Sequence, residues 1–217
     1  MKVEWIGHSC FKVYLKDGRE LLFDPFKQIG YEMAETTADF VFITHDHYDH
    51  NATERVTGDY KLIKGPGKWD IDGIHIEGFE ASHDDNGGSK RGKVTIFKVA
   101  AEGLVITHMG DIGTVPDEAL YEKLDGTDIL LIPVGGTYTI DAVQALEICK
   151  RLEPNLIIPM HFKTECLDMD IAPLFDFTDA AGRYFDKSSS GGSSVELFAD
   201  DKKKRTRIVI LEKKADC

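Results

Sequence analysis

Three histidines and two aspartates fall within six residues at His45-Asp46-His47-Tyr48-Asp49-His50. Imidazole and carboxylate together suit zinc, manganese or iron, and the lack of thiolate argues against a closed structural zinc site. Alternate residues of an extended chain face one side, so His45 and His47 can present two imidazoles to one cation. Asp49 and His50 follow as the chain turns and offer a carboxylate and an imidazole to a second cation beside it. The plain alternative, a polar loop rich in histidine, leaves the spacing and the apolar run before it without a reason.

Two protein ligands per ion are too few, so the rest must come from other strand ends. His83 follows an apolar run that ends at Phe79, Asp111 follows Leu104 to Thr107, and His161 follows Leu156-Ile157-Ile158-Pro159-Met160. If those runs are parallel strands, their tips meet at one rim. Asp24 ends a further strand. It is a candidate acceptor for the ring N–H of a ligating histidine, fixing its tautomer, or else a turn former before Pro25. His108 is either a proton donor to a leaving group or a packed strand-end residue. Gly136, Thr137 and Tyr138 form a candidate substrate loop, since glycine lets backbone approach a ligand and tyrosine adds a ring and a hydroxyl. A turn before a helix capped by Thr139 explains the same residues. Lys90, Arg91 and Lys93 could serve a phosphate on a small metabolite, but a solvated loop is the reading taken.

The elements that must position these groups are legible as short apolar runs. Phe40 to Thr44 is apolar on both faces, as in a buried strand. Val3–Ile6, Cys10–Leu15, Glu20–Phe23, Lys61–Ile63, Ile74–Phe79, Thr95–Val99, Val105–Thr107, Ile129–Ile132 and Leu156–Ile158 also read as strands. Residues 194–199 and 206–211 read as a closing hairpin, with the basic run Lys202–Arg205 in its turn. Helices are expected over 116–124, 141–152 and 170–185, the second placing Ala142, Ala145, Leu146, Cys149 and Leu152 on one face. Residues 84–93 and 188–194 are flexible by composition. Strands first and helix–strand alternation later imply an α/β fold of two packed sheets with helices outside, one domain over 1–217.

Composition narrows the functions. Lys and Arg number 26 against 38 Asp and Glu, a net charge of −12, which disfavours nucleic acid as a partner. No stretch is long and apolar enough to span a membrane, and Met1 to Trp5 reads as a strand rather than a secretory signal. Cys10, Cys149, Cys166 and Cys217 show no paired spacing, so free thiols and a cytoplasmic setting are expected. A small-molecule substrate fits better than a macromolecule; the oligomeric state is not legible.

His-x-His-x-Asp-His after a buried strand, then a histidine, then Gly110-Asp111, then Pro159-Met160-His161, resembles the metallo-β-lactamase superfamily. Gly7-His8-Ser9-Cys10-Phe11, Leu22-Phe23-Asp24-Pro25-Phe26 and Pro133 to Thr139 resemble its small metal-dependent hydrolases related to ascorbate-6-phosphate lactonase. The resemblance spans residues 1 to about 165. It implies a four-layer αββα sandwich and two divalent metal ions per chain, zinc first, with manganese or iron as alternatives. By it, His45, His47 and His83 hold one ion, Asp49, His50 and His161 the other, and Asp111 bridges. His8 would lie near the metals as a substrate-binding or proton-shuttling group, and Asp49 would orient an attacking hydroxide. The implied reaction is hydrolysis of an ester, lactone or phosphoester. The alternatives are a phosphodiesterase or nuclease of the same fold and a non-catalytic, metal-dependent binder of a small molecule.

Overall fold

The computed structural model describes residues 1–201 and 205–216. In chain order the strands are β1 (Lys2–Gly7), β2 (Cys10–Tyr14), β3 (Glu20–Phe23), β4 (Thr36–Thr37), β5 (Phe40–Ile43), β6 (Val56–Thr57), β7 (Lys61–Lys64) and β8 (Gly67–Ile71). They continue as β9 (Ile74–Ser82), β10 (Lys93–Ala101), β11 (Leu104–His108), β12 (Ile129–Pro133), β13 (Leu156–Met160), β14 (Asp186–Ser189), β15 (Ser194–Glu196) and β16 (Arg207–Ile210). The helices are α1 (Glu118–Leu124), α2 (Ala142–Leu152) and α3 (Leu174–Ala181).

One sheet has the order β15-β1-β2-β3-β5-β7 and the other β14-β16-β13-β12-β11-β10-β9-β8, with β4 and β6 as a separate ribbon. The period of two along each strand decides what lies between the sheets. Phe40 and Phe42 of β5 join the main core, whereas Val41 and Ile43 join a second core on the other face. Phe23 stacks on Phe42 at 4.4 Å, and Phe42 meets Phe97 of the opposite sheet edge-on at 5.3 Å.

The α/β sandwich is as expected, with one difference in its outer layers. The three helices lie side by side, and their buried residues belong to the main core. The second core is closed by loop residues such as Phe26, Ile29, Tyr31, Met33 and Leu167, with no α-helix among the described residues. Helix boundaries follow their caps. Asp117 accepts from Leu120 N, so α1 starts after it, and Asp141 with Gln144 forms a capping box, displacing Thr139 from the cap role. Helix α3 is shorter than 170–185 because Pro173 precedes its first turn and Gly182 follows its last.

The expected closing hairpin is corrected. Ser194–Glu196 pairs antiparallel with β1, while Arg207–Ile210 pairs parallel with β13 and β14. The two segments therefore enter different sheets, each drawn to a partner distant in sequence. Residues 202–204 of the basic run lie outside the described residues. Segment 188–194 is partly strand, since Ser188 and Ser189 belong to β14. Cys10 and Cys149 are free and buried, but Cys166 is disulfide-bonded, which corrects the expectation of four free thiols. Spacing along a chain does not reveal a bridge made by its folding. Cys217 lies outside the described residues. No helix among the described residues is long and apolar enough to cross a membrane.

Strand direction places the chemistry. β1 and β3 each run opposite to β2, and β5 runs parallel to β3, so all three end at the same edge of their sheet. β9 and β11 each run opposite to β10, and β12 and β13 run parallel to β11. Every residue singled out above as a ligand candidate follows the carboxyl end of one of these strands. The two edges are joined where Thr95 N donates to Thr44 O at 2.9 Å.

Candidate metal centre

Two groups of side chains converge between these edges. In the first, His45, His47 and His83 bring donor atoms within 4.8 Å of one another, with His83 Nε2 3.2 Å from His47 Nδ1. In the second, His8, Asp49, His50 and His161 do the same. One carboxylate oxygen spans both: Asp111 Oδ2 lies 3.0 Å from His161 Nε2, 3.1 Å from His50 Nε2 and 4.0 Å from His83 Nε2. All are buried except His47, which is exposed.

Asp24 is the hub beneath them. Its Oδ1 accepts from Thr44 N at 2.8 Å, and its Oδ2 accepts from Thr44 Oγ1 at 2.7 Å and from His50 Nδ1 at 2.9 Å. The Thr44 hydroxyl has one proton, and the carboxylate takes it. Thr44 Oγ1 must therefore accept from His45 Nδ1, 2.9 Å away. Both histidines are thus held as Nδ1–H tautomers with Nε2 turned inward. Each of these Nε2 atoms is buried without a hydrogen-bond partner. An unprotonated His50 Nε2 facing Asp111 and Asp49 oxygens at 3.1 and 3.4 Å would be repelled unless a proton or a cation stood between.

The electrostatics agree. Burial would push His50 down, but the carboxylates of Asp111, Asp49 and Asp24 raise it well above the usual imidazole range. Burial, then the charge of His50, pushes His45 down to about 3, and burial, then His161, pushes His8 down to about 4. Burial also lowers His83. For Asp111, burial acts upward, but His161 and His50 beside it hold its carboxyl well below the usual range. Neutral His45 and His83, and a His50 whose proton a cation would replace, around the ionised Asp111 suit divalent cations, so the donor chemistry fits the expected ions.

The backbone makes unusual turns to achieve this. His8, Asp24 and His161 all have left-handed backbones, with φ of 52°, 45° and 50°. Such conformations cost about 1–3 kcal/mol each and collect at functional sites. His161 N donates to His8 O at 3.3 Å, and Trp5 Nε1 donates to the same oxygen at 2.9 Å. A Cβ on Gly135 would stand 2.1 Å from His161 O, so only glycine lets that loop pass.

The other candidates separate. His108 is buried, stacks on Phe23 at 5.3 Å, donates from Nε2 to Ser9 O at 2.8 Å and accepts at Nδ1 from Gly110 N at 3.1 Å. Both ring nitrogens are committed to backbone, which corrects the proton-donor reading in favour of packing. His8 Nε2 lies 3.2 Å from Asp49 Oδ2. Of the substrate loop, Tyr138 lines a cleft of about 580 Å³ over the ligand groups, whereas Gly136 and Thr137 shape the turn behind it and do not line the cleft.

Tyr48, Arg91, Asp168, Met169 and Asp170 also line the cleft. Sequence reading left Arg91 in a solvated loop and passed over the others; no spacing marks Asp168 to Asp170. The loop is in fact ordered by Asp84, 2% exposed. Its carboxylate accepts from the backbone N–H groups of Asn86, Gly88, Lys90 and Arg91 at 2.7–2.9 Å. An aspartate followed closely by Asn-Gly-Gly was the available signal for such a turn.

Two packed sheets with paired histidine–carboxylate groups on the loops of one edge define a metallo-β-lactamase fold. The β-lactamase superfamily domain matches residues 2–161, and the chain belongs to that family. It is 30% identical over 212 residues to a UPF0173 metal-dependent hydrolase of Thermoplasma volcanium, covering 85% of this chain and 94% of that protein. It is also similar to a Thermotoga maritima structure described as a candidate zinc-dependent hydrolase of the metallo-β-lactamase superfamily. There the TM-score is 0.80 and identity 33%, covering 97% of this chain and 99% of the other. Igni18, a metallo hydrolase of Ignicoccus hospitalis, shares the fold at TM-score 0.68 and 22% identity, covering 99% and 96%.

Proposed function

We propose that this chain is a metal-dependent hydrolase that cleaves an ester, lactone or phosphoester of a small substrate with two divalent ions. The observation that carries the reading is the sharing of Asp111 Oδ2 between two groups of imidazoles, one member of each, His45 and His50, having its tautomer already set. His45, His47 and His83 would hold one ion and Asp49, His50 and His161 the other, with Asp111 between; zinc leads, with manganese or iron as alternatives. When bound, such ions supply Lewis acidity and a water acidic enough to ionise near neutral pH.

The chain's own groups orient the reaction. His8, as its Nε2–H tautomer, donates to Asp49 and fixes the direction of that carboxylate. Asp49 is held ionised, since His50 and His8 outweigh the upward pull of burial. It can therefore accept a hydrogen bond from the attacking water and aim it. Asp24 and Thr44 keep the imidazole lone pairs turned inward. Tyr138 and Tyr48 border the mouth where substrate enters.

The test compares protein stripped by a chelator with protein reloaded with zinc or manganese on matched esters, lactones and phosphodiesters. Activity only in the reloaded protein is expected. Full activity in the stripped protein would overturn the reading. A loaded protein inert across the panel that still bound one small molecule would replace it with the non-catalytic one. Preference for phosphodiesters or RNA would favour the nuclease, against which the charge of −12 stands.

A further inference from the structure

The cleft over the candidate metal centre is lined by charges of both signs. Arg91 is the sole Lys or Arg among the lining residues, and Asp168 and Asp170 lie in the segment that closes the cleft elsewhere. The Arg91 guanidinium sits over the Tyr138 ring, 5.3 Å from its centroid. Among the described residues it has neither a hydrogen-bond nor an ion-pair partner, although its backbone N–H is held by Asp84. The neighbouring cations differ. Lys64 pairs with Asp46, Lys93 lies 3.5 Å from Glu80, and Lys90 lies 3.3 Å from Asp85.

A half-buried arginine stacked on an aromatic ring loses little side-chain freedom on binding, and its planar fork matches carboxylate or phosphate oxygens. Its position is not left to a mobile loop. Four backbone N–H groups converge on the Asp84 carboxylate, and a Cβ on Gly113 would stand 2.4 Å from Asp84 N, so the loop base is packed tightly against the ligand-bearing segment after β11. Such an arrangement holds a cation ready in the cleft, while Asp168 and Asp170, which also line it, repel the same anion, so an anionic group is accepted at Arg91.

Resting on the hydrolytic reading, we infer that Arg91 is the specificity residue for a carboxylate or phosphate group on the substrate, so that the preferred substrates are small anionic esters or lactones oriented with the anion towards Arg91 and Tyr138. Asp84 is the positioning residue for this contact.

The experiment has two arms. In the first, metal-loaded wild type, R91Q, R91K and K90Q are assayed on 4-nitrophenyl esters whose acyl chain ends in methyl, carboxylate, phosphate or trimethylammonium. Wild type should prefer one anionic ester over the methyl ester by about tenfold or more in kcat/KM. R91Q should abolish that preference through KM, R91K should keep part of it, and K90Q, which removes the same charge outside the cleft, should keep it whole. Whether carboxylate or phosphate suffers more in R91Q identifies the group recognised. In the second arm, benzoate, phenyl phosphate and benzyl alcohol are titrated into the metal-free proteins and followed by NMR. At least one anion should bind R91Q several-fold more weakly than wild type, with benzyl alcohol unaffected. Equal anion binding by wild type and R91Q, equal losses in R91Q and K90Q, or a preference for the trimethylammonium ester would overturn the inference. Absence of turnover on every ester would instead count against the hydrolase reading, while the binding arm still decides the role of Arg91.

Discussion

Asp24 shows how much one carboxylate can decide. It accepts from Thr44 twice and from His50 once, and through Thr44 it sets the tautomer of His45. Asp24→Asn puts N–H donors where acceptors are needed, so metal affinity should fall about 10- to 100-fold. Competition with a chromogenic chelator measures this, and unchanged affinity would remove Asp24 from the account. His50 gives a second expectation. In metal-free protein its proton is held by Asp111, Asp49 and Asp24, while burial, then the charges of neighbouring histidines, keeps His45 and His8 neutral. Loading at pH 7 should therefore release at least the His50 proton from each chain, seen by calorimetry in buffers of differing ionisation heat. The histidines and aspartates of the centre were legible because their spacing is chemical. The Asp84 turn was legible only as a turn, because an aspartate before Asn-Gly-Gly marks one without showing that its carboxylate gathers four amides.

At the level of elements, strands with apolar residues on both faces were plain from sequence: β5, β12 and β13 are uninterrupted apolar runs. Four strands were missed: the two-residue pair β4 and β6, and the longer β8 and β14. β8 alternates Lys68, Trp69 and Asp70 and is held by its ladder with β9, and β14 is wholly exposed and polar, held by its ladder with β16. β14 has no hydrophobic period to display, its partner's backbone doing the holding, whereas the alternation of β8 is confined to Trp69 and Ile71, too short a run to stand out. The mistaken hairpin has the same cause, because partner choice is a long-range property. Caps, by contrast, are local. Asp141→Ala removes the α2 capping box and should cost about 1 kcal/mol, read as a Tm lower by about 2–4 °C with metal content unchanged. Gly135→Ala should do the reverse: its Cβ would meet His161 O, so bound metal should be lost more readily than helix content. Metal analysis and circular dichroism on the same sample separate the two.

For the whole molecule, the ligand groups belong to both sheets: His45, His47, Asp49 and His50 follow β5, whereas His83, Asp111 and His161 follow β9, β11 and β13. Metal bound between them would fasten one sheet to the other, so saturating metal should raise Tm by several degrees, on the order of 2.7 kcal/mol at a hundredfold excess over Kd. Acid should act oppositely on metal-free protein. His8 and His45 titrate near 4 and 3 when folded but near 6.5 when unfolded, so the unfolded chain takes up protons that the folded chain refuses. Their contribution is complete above about pH 6.5 and is lost as pH falls towards 4. Raised His50 works the other way, losing its contribution as pH rises through its folded value. Thermal melts should therefore fall from pH 7 to 4, and a flat profile would contradict the buried neutral imidazoles. The hydrogen bond from His161 N to His8 O also has a bearing on biosynthesis. It joins the segment after β1 to the segment after β13, so a growing polypeptide that stops short of β13 lacks the pocket, and the ion binding and turnover proposed for it would begin only once β13 has been made and has docked.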